Sequence, residues 1–431
     1  QPLAPPSWSE PAELFANGRA AKGARVFQML YRRIGTDAFW RGVQQLLTDH
    51  RFGSVSTADL KASFEKASGS SLDEFFDQWI YRAGHPVLRI TRAYNPSVDS
   101  LSIHVQQSQP EKSRPAAFAI EFPVTVHGLM GASNSILSIE TRDEIITLPV
   151  GSEPRFVEFD PSDTVLDSVD IQQPAAAWIR QLNEGETVLS RLQAARAARQ
   201  FADDPSLPIG LKGALSGSLH PEVRAAIIKT MGALPPSGTI RSTIRRAADH
   251  KTPIVRSAAL VALRQSENVD RARKVALQAA QNDTSYSVQA TAVRTLAHLG
   301  GDNAFSVLQS AFVTTSHNEL IRRAAFDGLT ILDPPLSRSL PLALKWSTPD
   351  VSPPVRAAAP DFFADHLTNA RVRRRMSELL ADEDLRVRRA AVEALTAQRS
   401  ERARALLTQQ MEEENHPWIR TAIRSALGPE E

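Results

Sequence analysis

A chain of 431 residues is too long for a single hydrophobic core and calls for about two to four domains. Its 42% hydrophobic and 23% charged residues are ordinary for a globular protein, and a net charge of +2 sets up no global field for nucleic acid or membrane. The complete lack of cysteine excludes disulfide frameworks, thiol catalysis and cysteine-ligated zinc.

No stretch approaches the ~18 consecutive apolar residues of a membrane span. The chain starts Gln1-Pro2-Leu3, with no initiator Met and no basic-then-apolar leader, so a processed or truncated piece of something longer is expected. A cysteine-free chain folds in reducing or oxidising surroundings alike. The expectation is a soluble protein with an extracytoplasmic lean.

Residues 1–21 are rich in Pro, Ser and Ala and predict an irregular lead-in. From Lys22 the period is helical, with Val26, Met29, Leu30 and Ile34 on one stripe. Phe39, Val43, Leu46 and Leu47 predict a second helix; Leu60, Phe64 and Ala67 predict a third that stops near Gly69. Ser71 and Glu74 have capping-box spacing ahead of a bulky face of Leu72, Phe75, Phe76, Trp79 and Ile80. Residues 22–85 thus form a compact four-helix unit ended by Gly84 and Pro86. At Val87 the period becomes two. Strands are predicted at 87–90, 101–105, 118–122, 136–139, 145–148 and 156–159, separated by turns such as Asn95-Pro96-Ser97 and Gly131-Ala132-Ser133-Asn134. About six or seven short strands across 86–168 suggest a small antiparallel β-sandwich.

Helical character returns at Ala175, and now it repeats. The block His220-Pro221-Glu222-Val223-Arg224-Ala225-Ala226 recurs around Val255, Val288, Ile321, Val355, Val387 and Ile419. These anchors lie 32, 33, 33, 34, 32 and 32 residues apart, a period that means stacked helical hairpins. Pro221, Pro253 and Pro417 suit the first helical turn, where a missing N–H costs nothing. Residues 175–428 are read as a HEAT-like α-solenoid. The fold class is therefore mainly α with a β domain.

Chemistry is sparse. There is no His-Glu-x-x-His, no Gly-rich phosphate loop and no Gly-x-Ser-x-Gly elbow. The ten histidines (His50, His85, His104, His127, His220, His250, His298, His317, His366 and His416) include no i,i+3 or i,i+4 pair, so they suit surface and capping roles. Asp73, Glu74 and Asp77 sit in the first turns of a helix, where negative charge favours the macrodipole. The repeated Arg224, Arg256, Arg322, Arg356, Arg388 and Arg420 could form a phosphate stripe, but a ladder onto neighbouring turns and acidic side chains explains them better. The basic run Arg371–Arg375, with Arg386, Arg388 and Arg389, is offset by Asp382, Glu383 and Asp384. No nucleic-acid partner is expected.

Residues 22–90 resemble the alanyl-aminopeptidase family of gluzincin zinc peptidases. The resemblance rests on Lys22-Gly23-Ala24-Arg25-Val26-Phe27-Gln28-Met29-Leu30, Ile34-Gly35-Thr36-Asp37-Ala38-Phe39 and Ser56-Thr57-Ala58-Asp59-Leu60. It continues through Phe64, Ser68-Gly69, Leu72-Asp73-Glu74-Phe75-Phe76-Asp77-Gln78-Trp79-Ile80 and Gly84-His85-Pro86. It implies that these helices end a catalytic domain, with a β-sandwich and a helical domain after them. It further implies that the zinc ligands lie upstream, so zinc belongs to the full-length family and none is bound by this chain. The family's catalytic Tyr, two residues before the Lys, falls on Ala20. Removing one oxyanion donor typically costs ~100–1,000-fold in rate. Arg19, Ala20 and Ala21 offer no hydroxyl, which leaves Tyr31 as the nearest substitute. No catalytic or metal residue is therefore assigned, and the substrate-binding residues are unknown. Expected partners are a peptide or protein along the solenoid. The leading expectation is the C-terminal part of a zinc aminopeptidase. The alternatives are a non-catalytic scaffold on that frame, or a plain HEAT binding module akin to the lyases and adaptors of pigment assembly.

Overall fold

The computed structural model describes residues 2–5, 19–110, 116–217 and 219–428, so most of the expected irregular lead-in lies outside the described residues. The chain divides into two compact units, Gln1–Ala198 and Arg199–Glu431.

The first unit begins with α1 (Arg19–Ile34), α2 (Thr36–Asp49), α3 (Thr57–Ser68) and the short α4 (Asp73–Phe76), which runs on as a π-helical turn over Asp77–Tyr81. Phe39 stacks on Phe64 with ring centroids 5.2 Å apart. Gly42 makes this possible, because a Cβ there would lie 2.5 Å from the Phe64 ring. The capping box expected at Ser71 and Glu74 is absent. Leu72 is the N-cap, and the Ser71 hydroxyl instead bonds Asp73. The box forms one helix earlier, where Ser56 and Asp59 satisfy each other's backbone N–H groups. Gly69 closes α3 in the left-handed region, at φ 72°. The stripe expected on α2 is only partly buried: Phe39 is inside, but Leu47 is 66% exposed.

The β domain follows as β1 (Val87–Asn95), β2 (Ser100–Gln107), β3 (Ile120–His127), β4 (Ala132–Ile139), β5 (Asp143–Pro149), β6 (Phe156–Phe159) and β7 (Ser168–Gln172). They form two sheets, ordered β5-β2-β1-β7 and β4-β3-β6. The sheets are not wholly antiparallel, because β7 runs parallel to β1, pairing Leu88 with Val169 and Ile90 with Ile171. The turn read at Gly131–Asn134 lies earlier, with Gly128 N–H bonding the Gly131 carbonyl while Ala132–Asn134 already belong to β4. Inward residues such as Ile103, Val105, Val124 and Leu137 are fully buried, and they alternate with more accessible ones as the period of two requires. Helices Ala175–Glu184 and Val188–Ala197 complete the unit.

The second unit is the repeat array. Anchors Val223, Val255, Val288, Ile321, Val355, Val387 and Ile419 are all at most 2% exposed, so every copy of the motif fills the same packing role. Pro221, Pro253, Pro353 and Pro417 all stand in the first turn of their helices. Small residues set the spacing: a Cβ on Gly232 would sit 2.5 Å from that of Ala262 in the next repeat. Partner helices bury Leu308, Phe312, Met376, Leu379 and Leu380, with Val307 half-buried beside them. One hairpin cannot cover its own apolar face, so the stack supplies the stability.

Candidate functional site

The residues that carry the peptidase resemblance converge where α1 starts and the π turn ends. Half-buried Lys22 approaches the Arg82 carbonyl at 3.5 Å, and burial holds its ammonium below the usual lysine range. Gly84, at φ 90°, turns the chain so that His85 Nε2 and Ser168 Oγ share a hydrogen bond of 3.1 Å. Burial and then the Lys22 charge keep the His85 imidazole below its ordinary pKa. Leu3 and Ala4 donate their backbone N–H groups to the Ile80 carbonyl, closing the same corner. Lys22 and His85 are thus brought together, and Ser168 joins them from β7, a strand with no alternating pattern to announce it.

Ala20 and Ala21 are exposed at the start of α1. Tyr31 is not brought to them. Eleven residues of helix at ~1.5 Å each put it ~16 Å further along, and its hydroxyl bonds Thr36 Oγ1 at 2.8 Å. Among the described residues no group of three or more His, Asp or Glu side chains is placed to hold a metal ion, so the donor set does not fit a zinc centre. The acidic run on α4 is engaged structurally: Asp73 bonds Lys61 and Ser71, and Asp77 pairs with Arg82 at 2.5 Å. The helix docks on the sandwich through Trp79 against Phe118 (5.3 Å) and through Gln78, whose amide pairs with both backbone groups of Ala119 at 2.8 Å.

Beside this corner, Arg25 of α1 grips the loop between β6 and β7, reaching the Asp163 carboxylate at 2.8 Å and the Val165 carbonyl at 3.0 Å. Asp167 lies in the same loop. Burial, then the charges of Asp160 and Asp163, push its carboxyl up to about 7, against the pull of Arg25. A raised folded-state pKa means that the native state holds a proton that the unfolded state has lost. Stability is therefore greatest below the ordinary carboxylate range and declines as pH rises from about 4 through about 7. Asp167→Asn should flatten that decline and stabilise the first unit at pH 8 by about 1–2 kcal/mol after solvent screening. Denaturant melts of both proteins at pH 4 and pH 8 read this directly, and equal slopes would refute it.

The repeat arginines form a ladder, not a phosphate stripe. Each binds carbonyls at the end of the helix or loop before its own: Arg224 on Leu215, Arg256 on His250, Arg322 on Phe312, Arg356 on Pro349, Arg388 on Asp382 and Arg420 on Glu414. Gln289 takes the same place in the third copy, on Asp283. Arg256 and Arg356 also form two-pronged pairs with Asp283 and Asp382 of the following repeat, all at 2.7–2.8 Å. The basic run is offset in part as expected, with Asp384 on Arg386, and in part by Glu378, which serves Arg374 and Arg375.

Comparison with known proteins follows the same division. Residues 4–79 match the peptidase family M1 domain, and residues 273–364 and 340–428 match HEAT repeats. The chain thus joins a stretch of aminopeptidase-family sequence to a HEAT-repeat array, as its motifs indicate. Among individual relatives, the probable aminopeptidase 1 of Saccharolobus solfataricus is 34% identical over 86 residues, 20% of this chain and 11% of that protein. The tricorn protease-interacting factor F2 of Thermoplasma volcanium is 29% identical over 86 residues, with the same two shares. The glutamyl aminopeptidase of Rattus norvegicus is 27% identical over 179 residues, 40% of this chain and 19% of the relative. The matches therefore span less than a fifth of these relatives' own length. The crystal structure of Legionella pneumophila aminopeptidase A in complex with aspartic acid superposes with a TM-score of 0.70 at 12% identity. It covers 97% of this chain and 57% of the other, a likeness of fold. No helix among the described residues is long and apolar enough to cross a membrane.

Proposed function

We propose that this chain is the C-terminal portion of an aminopeptidase-family zinc peptidase, with the zinc ligands carried on sequence upstream of it. The carrying observation is an uncovered apolar face on the helices that match the peptidase domain. Trp40 and Leu47, seven residues apart on α2, are 60% and 66% exposed, and Phe52 just beyond is 96% exposed. Leaving a large apolar side chain in water forgoes about 1.5–3 kcal/mol each, which favours a face covered by the remainder of the domain. In this reading helices 22–85 complete one wall of a cleft, and the repeats hold the far end of a peptide or limit access to it.

The pure chain should bind far less than one zinc per molecule and hydrolyse no aminoacyl amide. One-to-one zinc that survives dialysis against a weak chelator would overturn the proposal. A second reading, a non-catalytic scaffold on the same frame, is favoured by Ala20, whose position offers no hydroxyl while Tyr31 is engaged elsewhere. The gene sequence upstream separates them: an intact His-Glu-x-x-His supports the peptidase, a decayed one the scaffold.

A further inference from the structure

The repeats carry a second periodic row, six residues after each anchor. In order it reads Lys229, Val261, Arg294, Asp327, Asp361, Glu393 and, uncharged in the last copy, Ser425. Its sign changes once, in the middle, where Arg294 Nε meets Asp327 Oδ2 at 2.6 Å. One helical turn further on, Arg264 joins the basic half and Asp365 the acidic half. His298 lies on the same side, where burial and then Arg264 hold its imidazole below its usual pKa.

Like charges are kept together on each side. Burial and then Arg294 lower the Arg264 guanidinium, which among the described residues donates to the neutral Thr295 hydroxyl alone, at 3.3 Å. Burial followed by Asp327, Asp365 and Glu393 raises the Asp361 carboxyl, and no cation pairs with it among the described residues. Compensation elsewhere is partial: Arg389 pairs with Glu393, Gln398 bonds Asp365, and Arg323 is exposed nearby on the acidic side. A face serving only the fold would interleave the two signs, as the arginine ladder does. Segregating them costs stability, and such a cost is expected where a partner of opposite charge binds.

We propose that this helix face docks an extended polypeptide segment of matching bipolar charge, its acidic half along Arg264 and Arg294 and its basic half along Asp327, Asp361 and Asp365. The proposal is independent of the peptidase reading. Neighbouring helices pack ~8–10 Å apart and an extended chain advances ~3.3 Å per residue, so about three residues of the partner span one repeat. Six repeats would take about 18 residues.

The test uses the full chain and a fluorescent peptide of about 20 residues, with glutamate at every third position in one half and lysine in the other. A control peptide of equal composition alternates the two. The segregated peptide should bind about tenfold or more tightly than the control at low salt and lose that advantage at high salt. Asp361→Lys and Arg264→Glu should each weaken it about tenfold. Asp361→Asn should raise the melting temperature yet weaken binding, a combination that a purely structural carboxylate would not produce. Equal affinity for the two peptides, or unchanged affinity in Asp361→Lys, would overturn the proposal. So would low-salt self-association abolished by Asp361→Lys, which would give the face to a second copy of the chain.

Discussion

Arg356→Met should destabilise the repeat unit by about 3–5 kcal/mol, read as a lowered denaturant midpoint with little change in slope. Arg356 is 2% exposed and its partner Asp382 has only 7% of its side chain accessible. Nε and Nη2 make the two-pronged contact with Asp382 at 2.8 and 2.7 Å, and Nη1 donates to the carbonyls of Pro349 and Val351. Methionine fills much of the volume but leaves the buried Asp382 carboxylate with only the Asp384 N–H, at 2.9 Å, and strips the Pro349 and Val351 carbonyls of the Arg356 donor. The loss therefore comes from stranded acceptors more than from missing attraction. Converting Asp382 to leucine in the same protein should recover a large part of the loss, because the stranded charge goes with it. If the double variant is as unstable as the single, the account is wrong. By contrast Arg386, 67% exposed beside Asp384, should be removable with hardly any effect, although its hydrogen bond draws the Asp384 carboxyl to about 2.

The second large effect is expected at Glu158. This carboxylate is 1% exposed, accepts the Ser190 hydroxyl on Oε1 and meets His127 Nε2 at 2.6 Å on Oε2. Gln181 extends the network by donating to Ser190 Oγ at 3.0 Å and accepting from Gln173. It ties helices Ala175–Glu184 and Val188–Ala197 to β3 and β6. Glu158→Leu should cost about 2–4 kcal/mol by removing the acceptor of the Ser190 hydroxyl and the partner of His127, and Glu158→Gln clearly less because it keeps acceptor and shape. Hydrogen exchange should show the two helices losing protection before the strands do. Uniform loss across the unit would refute the local role.

The repeat array was legible because each copy solves the same packing problem with the same residues. Seven anchors in register need no partner information to be recognised. The β domain was legible where alternation is strong, as in Leu101–Val105, and not at β7, where Ile171 is the one buried residue and the pairing is parallel. At Ser71 the spacing was right and the chemistry was not, since its hydroxyl donates to the Asp73 carboxylate and accepts the Asp73 N–H while Leu72 takes the N-cap position. The π turn after Phe76 has no sequence signature. The Lys22–His85–Ser168 corner was half visible, since two members sit in motifs and the third arrives from a strand far along the chain. The charge row was present in the sequence all along, but it becomes a face only once the anchors fix which residues lie side by side.

The arginine ladder has a consequence for how such a chain can change over generations. Each guanidinium holds carbonyls only a few residues before it, so that contact travels with its own segment of gene. Recombination that gains or loses one whole period of 32–34 residues leaves every retained arginine beside its loop, whereas a half-period cut separates them. Length is therefore free to vary in whole steps, and a longer or shorter array alters reach without inventing a new joint.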